Sequence, residues 1–389
     1  MLESLDDYDG SPATRARIRD AFDEQTSILV DKAAAWLAKG GQSDRSLVGR
    51  AEEMVAKDPR ATFAFDAAGY GSFEFDGRSF AAGRFACRPL SHLLRSLPPH
   101  ERPAKLQLFV LSGVSPLTDI GALQGSAPVA TMFQVASQFN CLEAPGPHLV
   151  PVERYFFDPT QGPRASISAF PGTFLRHYCA PGSDGERFEQ RDPSPQLNLL
   201  HRLTAPGLAE VAGGYLCSRS IPDPVAFAQV LTERFEEIEV GVHEGVEVVL
   251  GANWDGPVQG RPLIGQVFTS TLAAGGYGMV DFSDPTWQVI CRQLQRAAYL
   301  GTLAAAAVTG QRRLVLTLIG GGVFGNPIPL IWESILWACD QLASRLPADL
   351  TVIVNGRELP GLDRVEVTRS VQKRGGDLLI IGPARSDGI

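Results

Sequence analysis

The sequence lacks the features that mark several common classes of protein. It has no uninterrupted run of about 18 apolar residues, so it offers no candidate transmembrane helix. Its first ten residues, MLESLDDYDG, are acidic and have neither the basic nor the apolar part of a secretion signal. No dense block of Lys and Arg occurs and the net charge is −8, which argues against general binding to nucleic acid or to an anionic membrane. We therefore expect a soluble protein that is not Sec-exported.

Cysteine and histidine are too scattered to suggest a metal site. The six cysteines contain no Cys-x-x-Cys pair, and the six histidines form no His-Glu-x-x-His or His-x-His pattern. Most cysteines lie among apolar residues, as in LWAC and YLCS. We expect reduced, mostly buried thiols, no structural metal and no cofactor.

The spacing of apolar residues predicts an α/β protein with an N-terminal extension. Residues 13–38 have the three-to-four spacing of an amphipathic helix, and residues 61–85 alternate around Gly and Asp-Gly turns as short antiparallel strands do. From residue 106 onward, strand and helix patterns alternate. We therefore predict a helical and β-hairpin extension over residues 1–105 and a core domain, a sheet with helices packed on it, over residues 106–389.

Within the core, the individual elements follow from the same patterns. The predicted strands are LQLFVLSG, VATMFQVAS, GVEVVLGAN, RLVLTLI and LTVIVNG. The predicted helices are PVAFAQVLTERFEEI, WQVICRQLQRAAYLGTLAAAAVTG and PIPLIWESILWACDQLASRL. One more strand, LLII, is an option in the C-terminal tail, to which we assign no function.

The segment LIGGGVFGNP, residues 318–327, joins a predicted strand to a predicted helix through glycines. Glycine permits positive φ and has no Cβ to hold a ligand away from the backbone. N–H groups at a helix N-terminus favour phosphate oxygens by about 0.3 to 1 kcal/mol each. The alternative is a tight connection that needs glycine only for packing. As ligand-binding residues the segment offers Gly320, Gly321, Gly322, Val323, Phe324, Gly325 and Asn326.

A second candidate loop is DPTQGPRASIS, residues 158–168. Gly162 and Pro163 stand just before a run of small residues that predicts a helix start, and proline suits the first turn of a helix. Gln161 and Gly162 would face the other glycine loop across a diphosphate. The alternative is an ordinary turn capped by Thr160.

A third candidate segment surrounds the second predicted core strand. Asp119 and Ile120 precede this strand, and Gln134, Ser137 and Asn140 are expected at its C-terminal end. A carboxylate can accept a hydrogen bond from an adenine amino group, and amide side chains can hold ribose hydroxyls. The alternative for Asp119 is a turn cap.

In order and spacing, the three segments resemble the macrodomain family. That family has a Gly-Asp-Ile-Thr segment that reads adenine, an Asn-Ala-Ala-Asn segment, a glycine-rich first loop and a second loop that wraps the diphosphate. The matching residues here are Asp119 and Ile120, then Gln134 and Ser137 in place of two asparagines, then Gln161 and Gly162, and finally residues 320–326. Asn140 is an alternative for the asparagine that holds the distal ribose.

The resemblance covers about residues 110–355 and is best for the MavL-type branch, bacterial effectors that remove ADP-ribose from arginine of ubiquitin. It implies a macrodomain-like mixed sheet flanked by helices that binds ADP-ribose. It also implies an ADP-ribosyl glycohydrolase that cleaves an N-glycosidic bond, with an ADP-ribosylated protein such as ubiquitin as partner. The implied location is the cytoplasm or, for an effector, the host cell.

Removal of ADP-ribose passes through an oxocarbenium-like ribose, which a carboxylate can stabilise while it activates water. Asp281, Asp255 and Asp284 are the catalytic candidates because each lies beside a strand end or a helix start, and we rank Asp281 first. Asp284 is alternatively a helix N-cap, and the other two are alternatively solvated loop acids. Glu143 is a reserve candidate.

Three other functions compete with hydrolysis. A binding module that recognises ADP-ribose without turnover agrees with the replaced asparagines. A Rossmann oxidoreductase is disfavoured because the glycine spacing is not Gly-x-Gly-x-x-Gly. A Ser-His-Asp hydrolase is disfavoured because no Gly-x-Ser-x-Gly elbow occurs.

Overall fold

The protein has a mixed α/β fold built on one large sheet. The computed structural model describes residues 42–99, 104–113, 118–158, 160–182, 185–251, 258, 260–357, 359 and 361–380. The strands are β1 Ala64–Phe65, β2 Gly71–Phe75, β3 Arg78–Pro89, β4 Leu106–Ser112, β5 Thr131–Ala136, β6 Ala180–Pro181, β7 Arg187–Phe188, β8 Glu239–Glu247, β9 Leu263–Thr269, β10 Arg313–Thr317, β11 Leu350–Arg357 and β12 Leu378–Ile380. Ten of them form the large sheet, in the order β1-β2-β3-β8-β9-β5-β10-β11-β4-β12.

Part of this sheet is parallel, and that part defines the edge of interest. Neighbours run parallel from β9 through β5, β10, β11 and β4 to β12, whereas β8 pairs antiparallel with β9 and with β3. The last residues of the parallel strands therefore lie along one edge, which we call the carboxyl edge. Loops at such an edge are a preferred place for ligands in α/β proteins.

Ten α-helices connect and cover the strands in the described part of the chain. They are α1 Gln42–Lys57, α2 Pro59–Thr62, α3 Leu90–Arg95, α4 Ile120–Gly125, α5 Gln161–Ser168, α6 Phe170–Tyr178, α7 Pro224–Glu233, α8 Pro285–Val308, α9 Ile328–Ala343 and α10 Arg364–Gln372. A 3₁₀ helix over Val152–Phe157 precedes α5. Helices α7, α8 and α9 pack on one another, and α4, α5 and α6 form a second packed group. The predicted sheet flanked by helices is thus confirmed.

The long helix α8 shows how the sequence specifies its own ends. Asp284 accepts a hydrogen bond from the N–H of Thr286, and Pro285 occupies the first turn, where its missing N–H costs nothing. Most residues in the second half of the helix are buried, and many of them are alanines, which have the highest helix propensity. Gly310 follows the C-cap with φ +72, a value that favours glycine.

The predicted hairpin is also present. β2 and β3 pair antiparallel, and the turn between them is Asp76-Gly77 with φ +53 and +72. Two consecutive positive φ values are the signature of the tight turn that suits a hairpin's twist. β3 goes on to pair with β8, so strands from both sides of residue 105 belong to the same sheet.

Other predictions have mixed outcomes. The core strands at 106–112, 131–136, 313–317 and 350–357 and the three core helices are confirmed. The strand predicted at GVEVVLGAN is misplaced, because β8 begins earlier, at Glu239, and ends at Glu247. β9 and α10 were not predicted. The helix predicted over residues 13–38 lies outside the described residues.

The cysteines, the lengths of the helices and the grouping of metal-binding side chains bear on three further expectations. All six cysteines are free and five are buried, as predicted. Among the helices the structure describes, none is long and apolar enough to cross a bilayer. No group of three or more His, Cys, Asp or Glu side chains suited to a metal ion occurs among the described residues.

A buried carboxylate fastens the hairpin to the sheet and gives a testable prediction. Glu247, fully buried, accepts hydrogen bonds from Arg78, from Arg261 and from the N–H of Ala81. Burial alone would raise its pKa, but these hydrogen bonds outweigh burial and hold the pKa below its usual value. We expect Glu247→Gln to lose about 1.5–3 kcal/mol of unfolding free energy at pH 7, measured by urea denaturation.

The pH dependence has a defined sign. Because the folded pKa is lowered, the ionised carboxylate stabilises the fold above the unfolded pKa, and this contribution is lost as the pH falls through the folded value. Wild type and Glu247→Gln should therefore converge in strongly acidic buffer. Glu244→Gln is the matched control on the same strand, since Glu244 pairs with Arg84 near the surface and should cost below about 1 kcal/mol. Equal losses in the two variants would contradict this account.

Candidate functional site at the carboxyl edge

The first loop, as we call Asp158 together with residues 160–163, leads into helix α5 at the end of β5. Asp158 accepts hydrogen bonds from the N–H and the hydroxyl of Thr160, the N-cap of α5. The Thr160 side chain makes no capping bond, and the N–H groups of Gln161 and Gly162 have no acceptor among the described residues. A Cβ on Gly162 would lie 2.5 Å from the carbonyl oxygen of Ala136. The start of α5 therefore packs directly against the end of β5, and the N–H groups of Gln161 and Gly162 are free to bind a ligand.

Asp119 and Ile120 are bonded to this first loop. Asp119 caps α4, accepting from the N–H groups of Gly121 and Ala122, and its other carboxylate oxygen pairs with the buried guanidinium of Arg164. The side-chain oxygen of Gln161 accepts from the N–H of Ile120 at 2.9 Å. Asp119 thus acts as a cap, the role considered as the alternative to adenine binding. An adenine amino group would share this carboxylate with Arg164.

The polar residues predicted at the end of β5 separate into two groups. Gln134 lies inside the strand, so its predicted place after the strand is wrong, and its amide bonds to Thr302 and the N–H of Thr317. Ser137 and Asn140 do follow the strand. The Ser137 hydroxyl donates to the carbonyl of Thr269, and Asn140 is fully buried, with its oxygen on the N–H of Leu142. All three amide or hydroxyl groups are engaged with protein.

Residues 320–326, the second loop, follow β10 and present free backbone donors. The N–H groups of Gly325 and Asn326 donate to carbonyls within the loop, and that of Gly321 donates to the carbonyl of Leu318 just before it. The N–H groups of Gly322, Val323 and Phe324 have no acceptor among the described residues, and Gly322 and Val323 are exposed. Successive free backbone N–H groups are donors that can bind an anion.

The second loop is held in place by close backbone contacts with the segment after β9. The N–H groups of Ala274 and Gly275 both donate to the carbonyl of Phe324, at 2.9 and 2.7 Å. Gly325 has φ +65, and a Cβ there would lie 2.9 Å from Cα of Gly275. Asn326 is buried and donates to the carbonyl of Leu272 at 2.7 Å. Its side chain therefore holds the loop against the segment after β9.

The glycines of the second loop differ in what surrounds them. Gly320 has φ +77, and a Cβ on it would lie 2.4 Å from the hydroxyl of Thr271. A Cβ on Gly321 would lie 2.5 Å from Cδ1 of Ile328, so this position faces the core. A Cβ on Gly322 would meet nothing within 4 Å. Of the three, only Gly322 has open space for a side chain.

An aromatic cluster of Tyr215, Tyr277 and Phe324 packs at the second loop. Ring centroids lie 5.0 Å apart for the two tyrosines and 5.6 Å apart for Tyr215 and Phe324. The Tyr215 hydroxyl donates to the carbonyl of Ala144 at 3.1 Å. Burial and the neighbouring Tyr277 raise the pKa of Tyr215, and the charge of Asp158 in the first loop adds to this.

Buried polar atoms without a partner concentrate at the same edge. In a folded protein such atoms usually bind a ligand or an ordered water. Several such atoms lie at or just after the parallel strands and lack a hydrogen-bond partner among the described residues. They are the hydroxyls of Thr269, Ser270, Thr271 and Thr317 and the side-chain oxygens of Gln138, Glu143 and Asn355. The carboxyl edge thus combines free backbone donors with unused side-chain groups, the composition expected of a polar ligand site.

The catalytic candidates occupy different surroundings. Asp281 is exposed and accepts from the N–H and hydroxyl of Ser283, and these hydrogen bonds lower its pKa, so it is ionised at neutral pH. It follows Val280, whose N–H donates to Ala274 beside the second loop. Asp284 is the N-cap of α8, the alternative role considered for it. Asp255 lies outside the described residues.

Glu143, the reserve candidate, is the carboxylate most strongly perturbed by its surroundings. Burial raises its pKa to about 7, although Arg176 and the hydrogen bond from Ser166 oppose this. Sequence reasoning did not find Arg164, Arg176 or Tyr215 at this edge. Arg164 lies in the helix whose start the small residues predict, and Arg176 lies in α6, which was not predicted. An arginine in a helix is normally exposed, so neither was expected at a buried site. Tyr215 comes from a segment without a pattern.

Comparison with known proteins finds similarity only to solved structures. No family model and no curated protein match the chain. A poly(ADP-ribose) glycohydrolase of Thermomonospora curvata bound to the inhibitor ADP-HPD is 13% identical, covers 86% of this chain and 99% of its own, and has a TM-score of 0.42. The apo enzyme of Deinococcus radiodurans is 12% identical, with coverages of 75% and 93% and a TM-score of 0.39. TM-scores below 0.5 do not establish a shared fold, and such identities transfer no residue roles.

Proposed function

We propose that the protein binds ADP-ribose at the carboxyl edge and hydrolyses ADP-ribosyl groups from modified protein side chains. The observation that carries the proposal is the pair of loops with free N–H groups, Gln161 and Gly162 at the end of β5 and Gly322 to Phe324 after the neighbouring strand β10. A diphosphate carries the anionic oxygens that such donors favour. The resemblance of both loops to those of macrodomains points to ADP-ribose as the diphosphate ligand.

The rest of the ligand would occupy the neighbouring unused groups. In the proposed pose the adenine lies toward Asp119 and Ile120, whose places in the chain match the adenine-reading segment of macrodomains. The ribose hydroxyls would reach the unpaired side-chain oxygens that follow β5 and β9, such as those of Gln138 and Thr271. The net charge of −8 means that local donors, not the overall field, must hold this anion.

For hydrolysis we propose Asp281 as the carboxylate that acts on the reacting ribose. Water attacks the anomeric carbon, the bond to the side-chain nitrogen breaks, and the developing positive charge on the ribose is stabilised by a carboxylate that also takes a proton from the water. The lowered pKa of Asp281 suits a group that must be ionised, not one that donates a proton. Arginine of ubiquitin is the proposed substrate because the MavL-type resemblance implies it.

The second candidate function is recognition of ADP-ribose without turnover. It is favoured by the engagement of Gln134 and Asn140 with protein groups, since these residues stand where macrodomain hydrolases and readers hold the distal ribose. The hydrogen bonds of Asp281 to Ser283 also leave this carboxylate committed to its own turn. Binding should then be as tight as in a hydrolase while no product forms.

Turnover by aspartate variants separates the two functions. Incubation with arginine-ADP-ribosylated ubiquitin, beside poly(ADP-ribose) as a comparison substrate, should release ADP-ribose. Asp281→Ala should lower the rate by about 10²–10⁴-fold while ADP-ribose affinity is kept. Asp284→Ala is the control in the same segment, and it should keep the rate while losing about 1 kcal/mol of stability as a missing N-cap. Full activity in Asp281→Ala would contradict its role, and no release from either substrate would favour the reader.

A further inference from the structure

Glu143 lies directly beneath the first loop and is almost completely buried, with 1% of its surface exposed. A Cβ on Gly162 would lie 3.2 Å from Cγ of Glu143, so the Glu143 side chain packs against the first turn of α5. One carboxylate oxygen accepts the hydroxyl of Ser166, one turn further along the same helix. The other oxygen has no partner among the described residues.

The positive charge that faces Glu143 is Arg176 on α6, whose side chain is fully buried. Its guanidinium donates to the carbonyl of Cys141 at 3.0 Å and to the hydroxyls of Thr173 and Ser166 at 3.1 and 3.3 Å. It also lies over the ring of Phe268, 3.6 Å from the centroid. Arg176 is therefore fixed by neighbours on β9, on α5 and on its own helix.

A buried histidine completes the network without adding charge. His243 Nε2 lies 2.7 Å from the carbonyl oxygen of Ala82, which can only accept, so the ring proton is on Nε2. Nδ1 is then free to accept from Arg176 at 3.1 Å. Burial and the charge of Arg176 hold the pKa of His243 well below its usual value. His243 is neutral and serves as an acceptor.

Ser166 connects both charges to the helix that carries the first loop. Its hydroxyl donates to Glu143 and accepts from Arg176, and the serine is itself fully buried on α5. The Glu143 side chain touches this helix at two places, through Cγ beside Gly162 and through the carboxyl group at Ser166. A displacement of Glu143 would therefore move the first turn and its free N–H groups.

We propose that Glu143 is a positioning residue for ADP-ribose binding: through Gly162 and Ser166 it fixes the first turn of α5, and its proton content is coupled to the arrival of the anionic ligand. This inference rests on the proposed function, because it takes the diphosphate to bind at that turn. Glu143 does not touch the ligand. A like charge brought near a buried carboxylate favours the protonated form, so binding takes up a proton.

Among the described titratable groups around Glu143, none but Glu143 itself changes its charge near neutral pH. Arg176 stays charged, while burial raises the pKa values of Tyr155 and Cys141 well above their usual ranges, so both remain neutral. His243, behind Arg176, is neutral as well. The pKa of Glu143 is raised to about 7, and the diphosphate diester of ADP-ribose stays fully ionised between pH 6 and 8. By linkage, affinity should rise as the pH falls across this range.

The test is calorimetric titration with ADP-ribose at pH 6, 7 and 8. Wild-type affinity should rise about tenfold from pH 8 to pH 6, the effect of one charge roughly 10 Å away at an effective dielectric constant of about 20. Glu143→Gln keeps the acceptor for Ser166 and imitates the protonated carboxyl group. It should bind at every pH as the wild type does at pH 6.

Two serine variants on α5 provide a matched comparison. It tests the inference even if Glu143→Gln does not fold. Ser166 and Ser168 are both fully buried, but the Ser168 hydroxyl has no partner among the described residues. Ser166→Ala should weaken binding about tenfold at all three pH values, and Ser168→Ala should leave it unchanged. The inference is overturned if Glu143→Gln keeps the wild-type pH slope or if the two serine variants bind alike. Absence of wild-type binding would overturn the proposed function and this inference with it.

Discussion

Replacing Arg176 with Met should lower the free energy of unfolding by about 3–5 kcal/mol at pH 8. The substitution removes the positive charge opposite Glu143 and strands the carbonyl of Cys141 and Nδ1 of His243, both of which accept from the guanidinium. Burial then acts on Glu143 without its main opposing charge, and the pKa of the carboxyl group moves further up. Urea denaturation at constant salt measures the loss.

The pH dependence of this variant separates charge from packing. At pH 6 the unpaired Glu143 takes up a proton, so the penalty for burying its charge disappears and the loss should be smaller than at pH 8. Arg202→Met is the control, because Arg202 is half exposed and lies 3.7 Å from Glu239, a geometry worth at most about 1 kcal/mol. A loss in Arg176→Met that is equal at both pH values would show that packing, not the charge pair, is what Arg176 contributes.

Substitution of Gly322 should change ADP-ribose affinity according to the sign of the new charge. The position is exposed, needs no positive φ, and offers open space for a side chain directly before the residues with free N–H groups in the chain, Val323 and Phe324. Gly322→Glu brings a carboxylate to within roughly 5 Å of the proposed diphosphate, which should weaken binding about 100-fold or more. Gly322→Lys should bind at least as tightly as the wild type, and Gly322→Ala should lie near it. Calorimetry measures all three.

The charge series guards against a simpler explanation. If the second loop only tolerates small residues, Lys and Glu variants lose affinity together. Ordered affinities, Lys above Ala above Glu, require an anion at this loop. All three variants should melt within a few degrees of the wild type, because a side chain at this position meets no neighbour. A Gly322→Glu protein with unchanged ADP-ribose affinity would remove the second loop from the site.

The sequence was sufficient to locate both loops but not to distinguish their glycines. A buried strand followed by glycines and a helix predicted the second loop, and the structure has it at residues 320–326. Gly321, which the pattern cannot tell from Gly322, faces Ile328 in the core, so its substitution would disturb packing before it touched a ligand. Which way a Cβ would point depends on the φ and ψ of each residue, and those are set by the contacts of the loop with the segment after β9.

Partners distant in sequence explain the remaining errors. β8 was misplaced because Glu239 and His243 interrupt its apolar pattern, yet both are buried, Glu239 beside His201 and His243 on the carbonyl of Ala82. Gln134 sits inside β5 for the same reason, bonded to Thr302 on α8. Spacing along the chain carries no information about such pairs. The Glu143–Arg176 network was invisible for this reason as well.

Titration of the wild-type protein with ADP-ribose tests the central claim most directly. Calorimetry with ADP-ribose, AMP and NAD as ligands should show saturable one-site binding that is tightest for ADP-ribose, because only this ligand combines the diphosphate with a free distal ribose. The binding should vanish in Gly322→Glu at the same protein concentration. No heat of binding for ADP-ribose, or equal affinity for AMP, would contradict an ADP-ribose site at the carboxyl edge.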